Sequence, residues 1–396
     1  IVLYGPALVS GAQAATNRAS LFNFALLAGC AERTYYLAPE ANSIGARDMG
    51  LLPASLPGHA ATSDDASRER LERQWGARLP ASAGLGYEAM LTAAASGELR
   101  ALYLVGSDPA AQSPAAQAAL QALDFVVVQD LFMTTSAGLA DVVLPAVSWA
   151  ETDGTYTNLE RRVQRAPQAI RHPNTDAAPD WLILSELGKQ WANFTPQTVQ
   201  MEGKKKGRKV GDLAAQWAFT SAQAVLDEIT RAVPLYDKLT WVALGEQGQQ
   251  WPWEGARSDA GRGAVALPVP ARRLTVPAAR VVTTNQDYPY ALVASRLLFD
   301  GGTLLRKNEV AAQVAVAAAV GVNPADAARE QWTSGQWLTV TSPAGQLSLP
   351  VRLDATVQPG TVWIPYSLPG APVETLLNSA DDGVGTRVRI TPQKVG

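Results

Sequence analysis

Cysteine and histidine are almost absent from this sequence: 396 residues hold one Cys and two His. An iron–sulfur cluster takes about four thiolates, so this stretch of chain cannot ligate one with its own cysteine. Cys30 sits in the apolar run FNFALLAGCA and reads as a buried core thiol. His59 and His172 fall in the loop-like stretches LPGHA and RHPN, too few candidates for a His-based metal centre or a catalytic triad. Strong net charge is missing too. The formal value of −3 argues against general nucleic-acid binding. No apolar run reaches the ~18–20 residues that a membrane span requires, so direct membrane insertion is not expected. The opening IVLYG has no initiator Met and no basic n-region, so it does not read as a signal peptide. It reads like a strand that begins in mid-protein, and the chain is expected to be a fragment or a processed form.

What is present is globular. Hydrophobic residues make up 47% and charged residues 17%, and the length predicts two or three domains. The first part alternates strand and helix signals. Apolar runs at IVLYG, TYYLA, ALYLVGSDP, DFVVVQD and ADVVLP are interleaved with helical periodicity over 12–30, SPAAQAALQAL and DWLILSELGKQWAN. Strands that are apolar throughout and alternate with helices predict a parallel sheet covered on both faces. Ser221 is a plausible cap for a further helix over 221–233. MEGKKKGRKVGD, 201–212, has five basic residues and reads as a solvated loop, with partner docking as the alternative. Residues 245–284 are rich in Gly, Pro and Arg and read as a surface linker. From 285 onward, β-branched and alternating patterns with Pro-Gly turns predict a separate β-rich domain. One helical piece is expected near 308–329, with Asn323 as its cap and Pro324 in its first turn.

The stretch ADVVLPAVSWAETDGTYTNLERRVQR, 140–165, poses the functional question. Three arginines, Arg161, Arg162 and Arg165, follow an apolar strand within a few residues of Glu151, Asp153 and Glu160. Such a cluster is either an anion site or an internal clasp in which guanidinium groups bind carboxylates bidentately. The local density of acids favours the clasp.

Four segments occur in an order that resembles the molybdopterin oxidoreductase superfamily: ANSIGARDMGLLP, ALYLVGSDPA, FVVVQDLFMTTSAGLADVVLPAVSWAETDGTYTNLERRVQ, and NPADAA with GQWLTVTSPAG. That superfamily includes formate dehydrogenases and the large G subunit of complex I, the NADH:quinone oxidoreductase. The resemblance implies an α/β fold with Rossmann-like parallel-sheet lobes followed by a double-psi β-barrel. It implies the tail of one lobe over 1–95, a second lobe over 96–244, the linker, and a barrel over 285–396 like the molybdopterin dinucleotide-binding domain. In cofactor-bearing relatives the strand ends cradle a bis-molybdopterin guanine dinucleotide. The matching positions here are Gly106, Ser107, Asp108, Gln129 and Asp130, with Arg306 before the barrel.

Several positions depart from the cofactor-bearing pattern. Thr134-Thr135-Ser136 lacks an acid, LLFDGGTLLRK (297–307) lacks the pocket His and brings in Phe299 and Asp300, and 364–378 lacks the expected His-Phe and Ala-Asn motifs. The resemblance is therefore strongest to the complex I branch, in which the fold is kept and the pterin lost. It implies no catalytic residue, metal or cofactor in this segment, and iron–sulfur clusters in a missing N-terminal part. It also implies partners in the complex I peripheral arm and a peripheral location on the cytoplasmic side of a bacterial inner membrane. The alternative is the C-terminal part of a molybdenum or tungsten enzyme such as a formate dehydrogenase.

Overall fold

The structure, a computed structural model, describes residues 1–9, 14–173, 175–194, 215–250, 286–295, 297, 302–313, 316–366, 368, 370–377 and 386–393. The basic stretch 201–212, most of the expected linker, and Leu298, Phe299, Asp300 and Asn378 lie outside the described residues. The chain divides into two compact units, one of Tyr35–Asp108 and Gln117–Pro270, the other of Ile1–Thr34, Pro109–Ala116 and Ala271–Gly396. Among the described residues no helix is long and apolar enough to cross a membrane.

The first of these units is α/β. The motif NSIGARD forms a short helix, α1 (Ser43–Asp48). Three apolar runs form β1 (Ala101–Val105), β2 (Phe125–Asp130) and β3 (Val142–Pro145). They pair in parallel in the order β1-β2-β3, with Val105 opposite Gln129 and Asp130 opposite Pro145. The carboxyl ends of β1 and β2 therefore lie side by side, each feeding a loop. Val126 and Val128 point from β2 into a core with Ala137. The sheet was expected to be covered on both faces, yet Tyr103, Val105, Phe125 and Val142 are exposed here.

The arginine-rich stretch forms a hairpin, β4 (Gly154–Thr157) against β5 (Arg162–Ala166), extended by β6 (Gln249–Gln250). The helices α2 (Asp180–Phe194) and α3 (Ala222–Ala232) follow it in this unit. Ser221 caps α3, its Oγ accepting the Ala224 N–H at 3.1 Å, a cap worth about 1 kcal/mol. Val163 of β5 packs with Leu56, Leu71, Leu226, Tyr236, Leu239 and Leu244 in the main core of the unit.

In the other unit, β7 (Tyr290–Ser295), β8 (Val320–Val322), β9 (Trp337–Thr341), β10 (Gln346–Leu353), β11 (Thr361–Pro365) and β12 (Arg387–Pro392) close into a barrel in the order β7-β11-β8-β10-β9-β12. The pairs β7–β11 and β8–β10 are parallel and the remaining pairs antiparallel. Closure leaves no sheet edge. The alternate residues Leu338 and Val340, Val362 and Ile364, and Val388 and Ile390 fill the interior. The helix α4 (Pro324–Glu330) starts where the sequence predicts, with Asn323 Oδ1 accepting the Ala325 N–H at 2.8 Å. The single helical piece expected over 308–329 is not what forms: strand β8 interrupts it. All three residues of β8 are buried between β10 and β11, and barrel closure overrides the helical propensity of the Ala-rich run.

Candidate functional site

The strand-end positions come together after β1 and β2. Gly106 takes φ +57°, is exposed, and has open space where a side chain would stand. Its N–H donates to the Gln129 carbonyl at 2.9 Å, which fixes the loop to the neighbouring strand. Ser107 and Asp108 are half-buried. The Asp108 carboxylate accepts from Ser136 N–H at 2.8 Å, Ser136 Oγ at 2.7 Å and Thr135 N–H at 3.3 Å. It therefore ties the first loop to the second. Asp130 Oδ1 accepts the Phe132 N–H at 3.2 Å, an Asx turn that directs the chain away from β2. Gln129 is fully buried; its Nε2 donates to Asp180 Oδ1 at 2.5 Å and its Oε1 accepts from the Tyr103 hydroxyl. Arg306 ends the short helix Thr303–Arg306 in the other unit.

A pterin dinucleotide presents diphosphate arms that need inward-facing donors. The polar side chains described at these strand ends are two acids and an amide engaged with the protein, and the half-buried Ser107 hydroxyl. Asp108 is committed to the 135–136 backbone, and Gln129 lies between Tyr103 and Asp180. As a side-chain cradle for phosphate, this set does not fit.

The six clasp residues are not brought together as expected. Glu160 comes near Arg162, at 3.9 Å, and that pair is partly exposed. Glu151 instead completes a capping box, its Oε2 accepting from Ser148 N–H at 3.0 Å and Ser148 Oγ at 2.6 Å, with His172 3.5 Å from its Oε1. The Ser148 hydroxyl and amide, with His172 adding charge, hold the Glu151 carboxyl below the usual carboxylate range. Asp153 accepts the Gln168 N–H at 2.9 Å. Arg165 lies over the Trp241 ring at 4.7 Å, and Arg162 donates to the Gly248 carbonyl at 3.3 Å. The reason is the hairpin. Strand alternation sends successive arginines to opposite faces, whereas sequence proximity alone had put them in one cluster.

Arg161 occupies the hairpin turn. Asn158 closes that turn, its Oδ1 accepting from both Glu160 and Arg162 N–H at 2.9 Å. This holds Arg161 at φ +60°, a left-handed conformation uncommon for a residue with a Cβ. Its Nη2 stands 3.5 Å from His59 Nε2, and His59 is also left-handed, at φ +63°. His59 in turn bonds Asp48 Oδ1, a carboxylate with no solvent exposure. Nearby, Asn42 Oδ1 accepts the Thr157 N–H at 2.9 Å. A Cβ at Gly45 would collide with the Asn42 side chain, which explains glycine within SIGARD. Tyr236, buried beside this group, has its hydroxyl pKa pushed well up by burial and by Asp48. Along the sequence, ANSIGARDMG and the arginines are separate motifs. Their meeting through His59 was not legible there, because His59 and Arg161 lie 102 residues apart.

A parallel α/β unit with loops at its strand ends and a closed mixed barrel define a class of protein before any relative is considered. The chain belongs to the molybdopterin oxidoreductase family. It matches "Molybdopterin oxidoreductase" over residues 1–190 and "Molydopterin dinucleotide binding domain" over 290–390. It is 30% identical over 359 residues to the F420-dependent formate dehydrogenase subunit alpha of Methanocaldococcus jannaschii, covering 86% of this chain and 49% of that protein. It is also 30% identical over 354 residues to an NADH-quinone oxidoreductase G subunit of Rhizobium meliloti, covering 87% of this chain and 36% of that protein. The chain thus spans half or less of these relatives. Among solved structures, the acetylene hydratase of Pelobacter acetylenicus shares the fold, with TM-score 0.53 and 17% identity over 84% of this chain and 50% of that one.

Proposed function

We propose that this chain is a structural and assembly segment of the G subunit of an NADH:quinone oxidoreductase, and that no residue in it performs chemistry. The observation that carries the reading is the internal commitment of the strand-end groups. Asp108 holds the 135–136 loop and Gln129 is locked between Tyr103 and Asp180, so these two of the matched positions are engaged in the fold, which supports the reading. Similarity to a G subunit of that enzyme supports the same reading. The complete protein would work in the peripheral arm, on the cytoplasmic side of the membrane, passing electrons from NADH toward quinone through clusters held outside this segment. The arginines of the hairpin are assigned to stability, as turn, stacking and carbonyl contacts. The domain limits 1–95, 96–244, 245–284 and 285–396 are retained as part of this proposal.

Metal analysis of the full-length protein tests it. Iron and sulfide without stoichiometric molybdenum or tungsten is the expected result, while residues 1–396 alone should carry no cluster absorbance. One molybdenum or tungsten per chain would overturn the proposal. It would favour the second reading, a bis-pterin enzyme, which similarity to formate dehydrogenases supports.

A further inference from the structure

We propose that the sheet β1-β2-β3 is continued, along the outer edge of β1, by a further parallel strand whose crossover helix covers the bare face of the sheet. Both come from the part of the full-length polypeptide outside residues 1–396. This holds whether or not that protein carries a pterin. The Gly106 N–H donates to the Gln129 carbonyl at 2.9 Å, and the Arg100 carbonyl accepts the Phe125 N–H at 3.2 Å, so both groups face β2. Backbone groups alternate between the two sides of a strand, so the amides of Tyr103 and Val105 point away from β2. Among the described residues β1 pairs with β2 alone. The far side of the sheet differs. There the Ala178 N–H donates to the Pro145 carbonyl at 3.1 Å and the Ala178 carbonyl accepts the Val147 N–H at 3.2 Å, alongside the end of β3. Exposed edges are ordinarily blunted by charge, proline or a bulge. The run ALYLV has no charged residue and no proline, and its register with β2 is unbroken. It has the make-up of an inner strand.

The side chains point to the same occupant. The register puts Tyr103, Val127 and Val142 in one row, and Phe125 and Val105 share their face by alternation. Tyr103 and Val142 are each 38% exposed, Val105 44% and Phe125 46%. Val126 and Val128, on the opposite face, are buried in a core with Ala137. Parallel sheets are covered on both faces, because the crossovers that join their strands lay helices there. One added strand with its helix therefore satisfies the open edge and the bare face together. A second copy of this chain does not. Reaching β1 through a twofold axis, it would pair antiparallel and bring no crossover helix. The rest of the polypeptide has the length required, since the matched stretch is 49% of the Methanocaldococcus jannaschii relative and 36% of the Rhizobium meliloti one.

Hydrogen exchange, measured on residues 1–396 and on the full-length protein, tests this. The amides of β1 should exchange roughly tenfold or more slowly in the full-length protein, because those of Tyr103 and Val105 gain partners there. Two variants separate the edge from the face. Val105→Pro removes an outward N–H, which an edge strand tolerates, and Phe125→Glu places a charge on the bare face. Each should leave the far-ultraviolet circular dichroism of residues 1–396 unchanged, and each should restore fast exchange at Tyr103 in the full-length protein. Equal exchange of β1 in the two proteins, fast or slow, overturns the proposal. Exchange that slows in residues 1–396 as their concentration rises assigns the edge to a second copy and overturns it too.

Discussion

At the scale of single residues, the unusual feature is the meeting of two left-handed non-glycine residues, His59 and Arg161, beside the fully buried Asp48. A buried acceptor that loses its partner costs about 1–3 kcal/mol. His59→Ala should therefore destabilise the α/β unit by about that amount, read by chemical denaturation; a loss below about 0.5 kcal/mol would show that Asp48 is satisfied without the imidazole. Arg161 separates backbone from side chain. Arg161→Ala removes the guanidinium but keeps the left-handed penalty of roughly 1–2 kcal/mol, whereas Arg161→Gly removes both. Arg161→Gly should thus be the more stable of the two variants. If Arg161→Ala proves the more stable, the turn at Asn158 is not what imposes the conformation. Composition had correctly put His59 in a loop. It could not reveal that this loop folds back onto a hairpin about a hundred residues further along.

At the scale of elements, what was legible from sequence was local. The caps at Ser221 and Asn323 and the long helix at 180–194 rest on contacts a few residues apart, and each is found within a residue or two of its expected place. The misread elements depend on distant partners. Strand β8 is three residues inside an Ala- and Val-rich run, and it exists because β10 and β11 pair with its two edges. The hairpin β4–β5 was hidden by its own charge, since RVQRA buries only Val163 strongly. The barrel also contains a pH-sensitive element, the turn Val373–Leu376. Burial raises the Glu374 carboxyl above the usual range. The folded state then favours the protonated acid. Stability from this group is fully present below the unfolded carboxyl pKa, near 4.3, and is lost as pH rises from there through the folded value. Glu374→Gln should be more stable than the parent at pH 7, and that advantage should shrink toward pH 4. Melting curves at the two pH values check this; an equal difference at both would rule out titration of Glu374 as the cause.

At the scale of the whole molecule, the α/β unit and the barrel unit each have a core of their own. One is centred on Leu71, Leu226, Leu239 and Leu244, the other on Leu292, Leu338, Val362 and Ile364. Leu239 and Leu338 are both fully buried, so truncating either to Ala should cost about 2–5 kcal/mol. Chains built from separate cores commonly unfold in more than one step, and the expectation here is two calorimetric transitions. Leu338→Ala should lower the transition of the barrel and leave the other in place, while Leu239→Ala should do the reverse. Matched against the single-residue variants, His59→Ala should move with Leu239→Ala and Glu374→Gln with the barrel, because each lies in that unit. A single transition lowered to the same extent by both leucine variants would mean that the two cores melt as one, and would contradict the division.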